Sequence, residues 1–141
     1  IGEPTAEDIK IAVGSAYPIN KGDKQTVVRG RDIETGLPKS IRVGEAEIRE
    51  ALASVVREIT QAISETIEET PPELVGDIME HGIVLAGGGG LLSGIDKLIA
   101  QDMRMPVWIT EDPQTAVVRG CGKLLDDAVL LRKVKVAARK M

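Results

Sequence analysis

Four consecutive glycines, Gly87, Gly88, Gly89 and Gly90, sit in the stretch GIVLAGGGGLLSG between an apolar run and what reads as a helix start. Each glycine loses more conformational freedom on folding than any other residue, so ordering four in a row is costly. Either a ligand must approach this backbone closely, or the strand and helix must pack tightly. A glycine-rich turn from strand to helix suits a phosphate or a ribose, because bare main chain can touch the ligand and helix N–H groups meet negative charge. The two standard patterns both fail here. The dinucleotide fingerprint G-x-G-x-x-G needs glycine at 93 or 92, where Ser93 and Leu92 stand, and the phosphate loop needs lysine where Ile95 stands.

Other chemistry is scarce. One histidine, His81, and one cysteine, Cys121, are too few soft ligands for a zinc site, and a single cysteine excludes an internal disulfide. No metal site and no catalytic residue is assigned. Glu111 and Asp112 lie at a strand end, but Asp112 before Pro113 is expected to cap a helix rather than act as a base. Cys121 is expected to be buried and inert. Gly120 and Gly122 beside it cost about 1 kcal/mol each in a helix, which implies close packing. His81 is expected at a helix end, where a cation suits the dipole.

Composition narrows the function classes. The 141 residues are the length of one ordinary domain, 43% hydrophobic and 28% charged, and only Tyr17 and Trp108 are aromatic, so the core must be aliphatic. A net charge of −4 argues against a nucleic-acid partner, for which phosphate selects clustered Lys and Arg. The basic tail Arg132, Lys133, Lys135, Arg139 and Lys140 is the local exception and reads as a solvated helix end. No run approaches the roughly 20 apolar residues that span a bilayer, and no signal peptide is visible, so a cytoplasmic location is expected. The chain opens abruptly on a helix signal, which reads as a piece of a longer protein.

The elements that must position the glycines follow from periodicity. Thr5 and Asp8 form a capping pattern for a helix over about Ala6 to Ala16. Gln25–Asp32 and Pro38–Val43, around the turn-forming ETGLP, predict a β-hairpin. From Glu45 to Glu69, Ile48, Leu52, Val55, Val56, Ile59, Ile63 and Ile67 recur at three and four, the stripe of an amphipathic helix. Thr70–Pro72 ends it and opens a short helix over Glu73–Glu80. GIVLAG then reads as a fully buried strand, LLSGIDKLIAQDM as a helix, MPVWIT as a second buried strand, and the rest as one long helix from Asp112. Strand, helix, strand with apolar strands implies a parallel βαβ unit, yet two parallel strands leave faces and edges uncovered. Further strands are needed from elsewhere.

IGEPTAEDIKIAVGSAYP, GIVLAGGGGLLSGIDKLI and EDPQTAVVRGCGKLL, in that order and spacing, resemble the C-terminal part of the MreB family of bacterial actin homologues. The resemblance covers essentially the whole chain. It implies an α/β fold, the actin-like ATPase (ribonuclease H-like) second lobe: a small helix-hairpin-helix subdomain over 1–68, the later half of the lobe's large subdomain over 69–111, present here as an incomplete parallel βαβ subdomain, and a C-terminal helix over 112–141 returning towards the first lobe. It implies ATP as cofactor. Gly87, Gly88, Gly89, Gly90 and Leu91 are similar to the family's adenosine motif, and Glu7, Asp8, Ile9 and Lys10 to its second nucleotide segment. There Glu7 can accept from ribose hydroxyls and Lys10 can lay its stem along the adenine. The family's phosphate loops, its water-positioning acid and most of its Mg²⁺ ligands match nothing in these residues, so hydrolysis is not assigned to this chain alone. Implied partners are the nucleotide, further copies in a filament, cell-wall elongation membrane proteins and the inner face of the cell membrane. Two alternatives stay open: a non-catalytic interaction fragment, and another actin-superfamily ATPase. An apolar patch left open on the long helix would favour the first, while the small size of the first subdomain speaks against a sugar kinase.

Overall fold

A computed structural model describes residues 1–18 and 24–138, with side chains as far as residue 134. Helix α1 (Glu3–Val13) leads into the antiparallel strands β1 (Gln25–Arg31) and β2 (Pro38–Gly44), and these into the long α2 (Glu45–Glu68) and α3 (Pro72–His81). Strand β3 (Ile83–Leu85), a 3₁₀ turn (Gly88–Leu91), α4 (Ile95–Met103) and β4 (Val107–Ile109) follow, then α5 (Ala116–Asp126) and α6 (Ala128–Ala138). Strands β3 and β4 pair in parallel, as the strand-helix-strand pattern predicts.

The hairpin closes through its own turn. Asp32 Oδ1 accepts from the Glu34 and Thr35 N–H groups at 2.9 and 3.3 Å, Lys39 Nζ holds Oδ2 at 2.6 Å, and Gly36 takes the left-handed φ of 71° that the turn requires. The Lys39 ammonium, then the two N–H groups, hold the Asp32 carboxyl below its ordinary value of 3.8.

Two aliphatic clusters make the core. Ile9 and Val13 of α1 meet Val28 and Val43 of the hairpin, with Ile48 alongside. Val56 of α2 meets Ile95 and Ile99 of α4, with Leu52, Ile63, Ile83, Leu85 and Val107 packed against them. Helix α2 therefore serves both clusters, and its stripe is only partly covered: Val55 and Ile59 remain 54% and 45% exposed.

Several expectations need correction. Helix α1 starts earlier, at Glu3, with Gly2 as its uncapped N-cap and Pro4 in its first turn; proline's fixed φ suits that position, so Thr5 is not the cap. The helix then ends at Gly14, not Ala16. LLSG is not helical: Leu91 closes the 3₁₀ turn, and α4 begins only after Gly94, whose φ is 77°. The two short strands are not fully buried, because each has one face without a covering layer; Val84 and Trp108 are 62% and 55% exposed. The last helix does not open at Asp112 and is not continuous. Asp112 adopts φ 51° in a turn whose carbonyl accepts from the Thr115 N–H, Thr115 is the N-cap of α5, and Asp127 breaks the helix by accepting from the Val129 and Leu130 N–H groups. Cys121 is exposed, and a Cβ added at Gly120 or Gly122 would meet nothing within 4 Å, since α5 carries no buried residue. Arg132 and Lys133 of the basic tail are exposed, while Arg139 and Lys140 lie outside the described residues.

Candidate functional site

The parallel pairing of β3 and β4 puts both carboxyl ends at one edge, where ligands of open α/β sheets are held. The glycine run leaves that edge. Its first member donates its N–H to Pro113 O at 2.7 Å, which ties the run to the segment leaving β4. At the same end the Thr110 N–H reaches Leu85 O at 3.0 Å, and the Thr110 hydroxyl is buried with no hydrogen-bond partner.

The four glycines are there for different reasons. Gly87 sits at φ 85° and ψ 170°, a conformation essentially reserved for glycine. Gly90 is buried, and a Cβ there would already be in contact with Leu85 Cβ at 3.4 Å, so packing keeps this position small. Gly88 and Gly89 have no such reason. A Cβ at Gly88 would reach only Gln114 Nε2 at 3.7 Å, and one at Gly89 would meet nothing within 4 Å. Both are exposed and neither has a positive φ. Tight strand-to-helix packing thus explains one glycine of the four, and the side of the turn formed by Gly88 and Gly89 is open to whatever lies outside. Leu91, the last residue of the turn, is 54% exposed.

The helical segment divides by face. Ile9 is in the first core cluster. Asp8 lines a cleft between α1 and β1 together with Thr5, Ala12, Thr26 and Arg29. Glu7 and Lys10 pair with each other, Nζ to Oε2 at 2.6 Å, with side chains 56% and 42% exposed. An ion pair so exposed is worth about 0–1 kcal/mol, so a ligand can take over either partner at little cost.

Among the described residues, no hydrogen bond or ion pair joins Glu7–Lys10 directly to Gly87–Leu91. The connection runs through the residues that follow each. Ser15 and Ser93 form an isolated parallel bridge, in which the Ala16 N–H donates to Ser93 O at 2.8 Å. Beneath it lies a buried polar group that the sequence reading missed: Ser15 Oγ donates to Glu45 Oε1 at 2.9 Å, and Arg49 Nη1 donates to both at 3.2 and 3.3 Å. The spacing of four between Glu45 and Arg49 was the available signal. His81 Nδ1 lies 3.0 Å from Asp77 O within its own helix, and the His81 carbonyl accepts from Trp108 Nε1 at 3.1 Å, so histidine and tryptophan fasten α3 to β4. Asp112 Oδ2 is taken by the Thr115 hydroxyl, which removes it further from a role as a base.

The family described as MreB/Mbl protein matches residues 1–133. The cell shape-determining protein Mbl of Bacillus subtilis (strain 168) is 43% identical over 137 residues, 97% of this chain and 41% of the relative. The cell shape-determining protein MreB of Escherichia coli (strain K12) is 45% identical over 128 residues, 89% of this chain and 36% of the relative. Among solved structures, MreB5 of Spiroplasma citri bound to ADP superposes with a TM-score of 0.84 at 39% identity, covering 88% of this chain and 37% of that one. The same protein bound to AMPPNP gives 0.85 at 35% identity, over 97% and 40%. The chain spans about two-fifths of the length of the proteins it matches.

Proposed function

The chain belongs to the MreB/Mbl family and has its actin-like α/β fold, and on that premise we propose that it is the nucleotide-embracing part of a cell-shape cytoskeletal protein. The full protein binds ATP, polymerises into filaments on the cytoplasmic face of the cell membrane, and directs cell-wall synthesis with membrane proteins of the elongation machinery. Its subunits meet one another and the membrane surface, not nucleic acid. Among the described residues, no helix is long and apolar enough to cross a membrane.

One observation carries the nucleotide assignment: Gly88 and Gly89 are glycines that neither backbone conformation nor packing requires, on the open side of a turn at the carboxyl edge of a parallel sheet. Bare main chain there lets a ribose and its first phosphate approach. Glu7 accepts from ribose hydroxyls, and the Lys10 stem lies along the base. The pairing of Glu7 with Lys10 holds the two side chains together before the nucleotide arrives. The residues present fit an adenosine: the triphosphate and its Mg²⁺ need further segments, and hydrolysis is not assigned to this chain alone. In the full protein ATP would supply a hydrolysable phosphate bond. The chain's own share is to grip the nucleoside and thereby favour the closed arrangement of the lobes, a population shift set by differential affinity.

The test is equilibrium ATP binding, with Mg²⁺, by the chain and by Gly89→Val. Because Gly89 has no positive φ and open space at its Cβ, the substitution leaves the fold intact, which circular dichroism checks. Affinity should fall by about tenfold or more. Equal binding by both overturns the assignment. Absence of binding in a folded chain favours the interaction-fragment reading, to which the open apolar residues of α5, Val117, Val118 and Leu125 at 71%, 66% and 77% exposure, also belong.

A further inference from the structure

Ser15 and Glu45 are 1% and 5% exposed, yet both are polar; among the described residues the buried apolar side chains of the core are Val and Ile, and Thr60 is the other buried polar one. Burying a carboxylate is expensive unless it is paired and hydrogen-bonded, and a buried ion pair is often no more stable than apolar residues of the same volume. Stability alone is therefore a weak reason for this group. Its location suggests another. Ser15 follows α1 by two residues and lies five beyond Lys10; its bridge partner Ser93 lies two beyond Leu91. Glu45 and Arg49 are in the first two turns of α2, the helix that serves both core clusters. The Ser15 hydroxyl, hydrogen-bonded to both Glu45 and Arg49, thus fixes where the end of α1 meets the start of α2, while the backbone of the same segment, through the Ala16 N–H to Ser93 O, meets the exit of the glycine turn. An apolar contact at that point would be non-directional and would tolerate sliding; two hydrogen bonds to a single oxygen do not.

We infer that Ser15, Glu45 and Arg49 form a positioning node that anchors the segment after α1 on α2 and, through that segment's backbone bridge to Ser93, sets the spacing between Glu7–Lys10 and Gly87–Leu91. The three touch no ligand; they act by holding the two segments in register. The significance of that spacing for nucleotide rests on the function proposed above, but the spacing itself is measurable without nucleotide.

The experiment places spin labels at Ile11→Cys and Leu91→Cys, with the exposed Cys121 replaced by serine, and reads the distance distribution by pulsed electron resonance. Two variants are compared with the parent: Ser15→Ala, and the apolar triple Ser15→Ala, Glu45→Leu, Arg49→Met. Both should broaden the distribution while far-ultraviolet helicity is kept, and the triple should hold or raise the melting temperature. That split separates positioning from mere support, which would lower stability and leave the distance of the folded fraction unchanged. ATP affinity, measured on the same substitutions without labels and with Leu91 and Cys121 retained, should fall about fivefold to tenfold in each. If the triple fails to fold, Ser15→Ala decides. A distribution as narrow as the parent's overturns the node whatever the nucleotide result. Broadening together with ATP binding indifferent to Gly89→Val keeps the node and removes the nucleotide assignment.

Discussion

The two small sheets reach order by opposite routes. Strands β1 and β2 pair over seven residues, from Gln25 with Gly44 to Arg31 with Pro38, and their turn is closed by Asp32, Lys39 and Gly36 within the hairpin. Strands β3 and β4 pair over three, and Val84 lies opposite Trp108 with both open to solvent. An antiparallel pair can carry its closure in a turn of a few residues, whereas a parallel pair must borrow it from a crossover helix and from whatever covers its faces. The hairpin is thus defined locally. The parallel pair depends on α4 below it and on fastenings at its ends, and it is the parallel pair that carries the glycine turn.

That contrast can be broken most strongly at Ile99, which is fully buried under the parallel pair. Ile99→Ala should lower unfolding free energy by about 2–5 kcal/mol in a urea titration. A cost below that of Val28→Ala in the hairpin would reverse the comparison. Next in size is Gly82→Ala, at the entrance to β3. The added Cβ would lie 2.5 Å from Pro106 O and 2.8 Å from Trp108 Nε1, at φ 78°. The backbone strain alone is worth about 1–3 kcal/mol. Trp108, the single tryptophan, reports on it directly: loss of its bond to His81 O should shift its emission, and unchanged fluorescence with unchanged stability would show that this fastening is dispensable. The smallest effect belongs to the hairpin. The Asp32 carboxyl is held below its ordinary value, so its contribution is fully present above that value of 3.8 and is lost as pH falls through the lower folded one. Protection of the Glu34 and Thr35 amides against exchange, relative to their intrinsic rates at each pH, should fall on acidification in the parent and be absent throughout in Asp32→Ala.

The hairpin and α2 were legible from the sequence because turn chemistry and period 3.6 are local signals, written in ETGLP and in the spacing from Ile48 to Ile67. Burial was less legible. GIVLAG and MPVWIT read as buried on both faces because continuous apolar strands usually are, but an apolar residue does not say which layer covers it. The break at Asp127 was present in the pair Asp126–Asp127, an N-cap residue in the middle of an apolar pattern that promised continuity. The glycine run reads as four equal residues; only backbone angles and neighbouring atoms separate Gly87, whose conformation calls for glycine, and Gly90, which is buried against Leu85, from the open Gly88 and Gly89. Ser15 carried no signal at all, since its partners lie thirty and thirty-four positions away.

Helix α2 is 24 residues long, or about 36 Å at 1.5 Å per residue. It is pinned at one end by the buried serine and meets α4 near its middle, at Val56. Such a rod is a lever: a tilt of about 5° at the pinned end sweeps the far end through about 3 Å. A displacement too small to notice beside Ser15 would arrive at the α2–α3 corner as a shift about as large as the spacing of two bonded heavy atoms across a hydrogen bond.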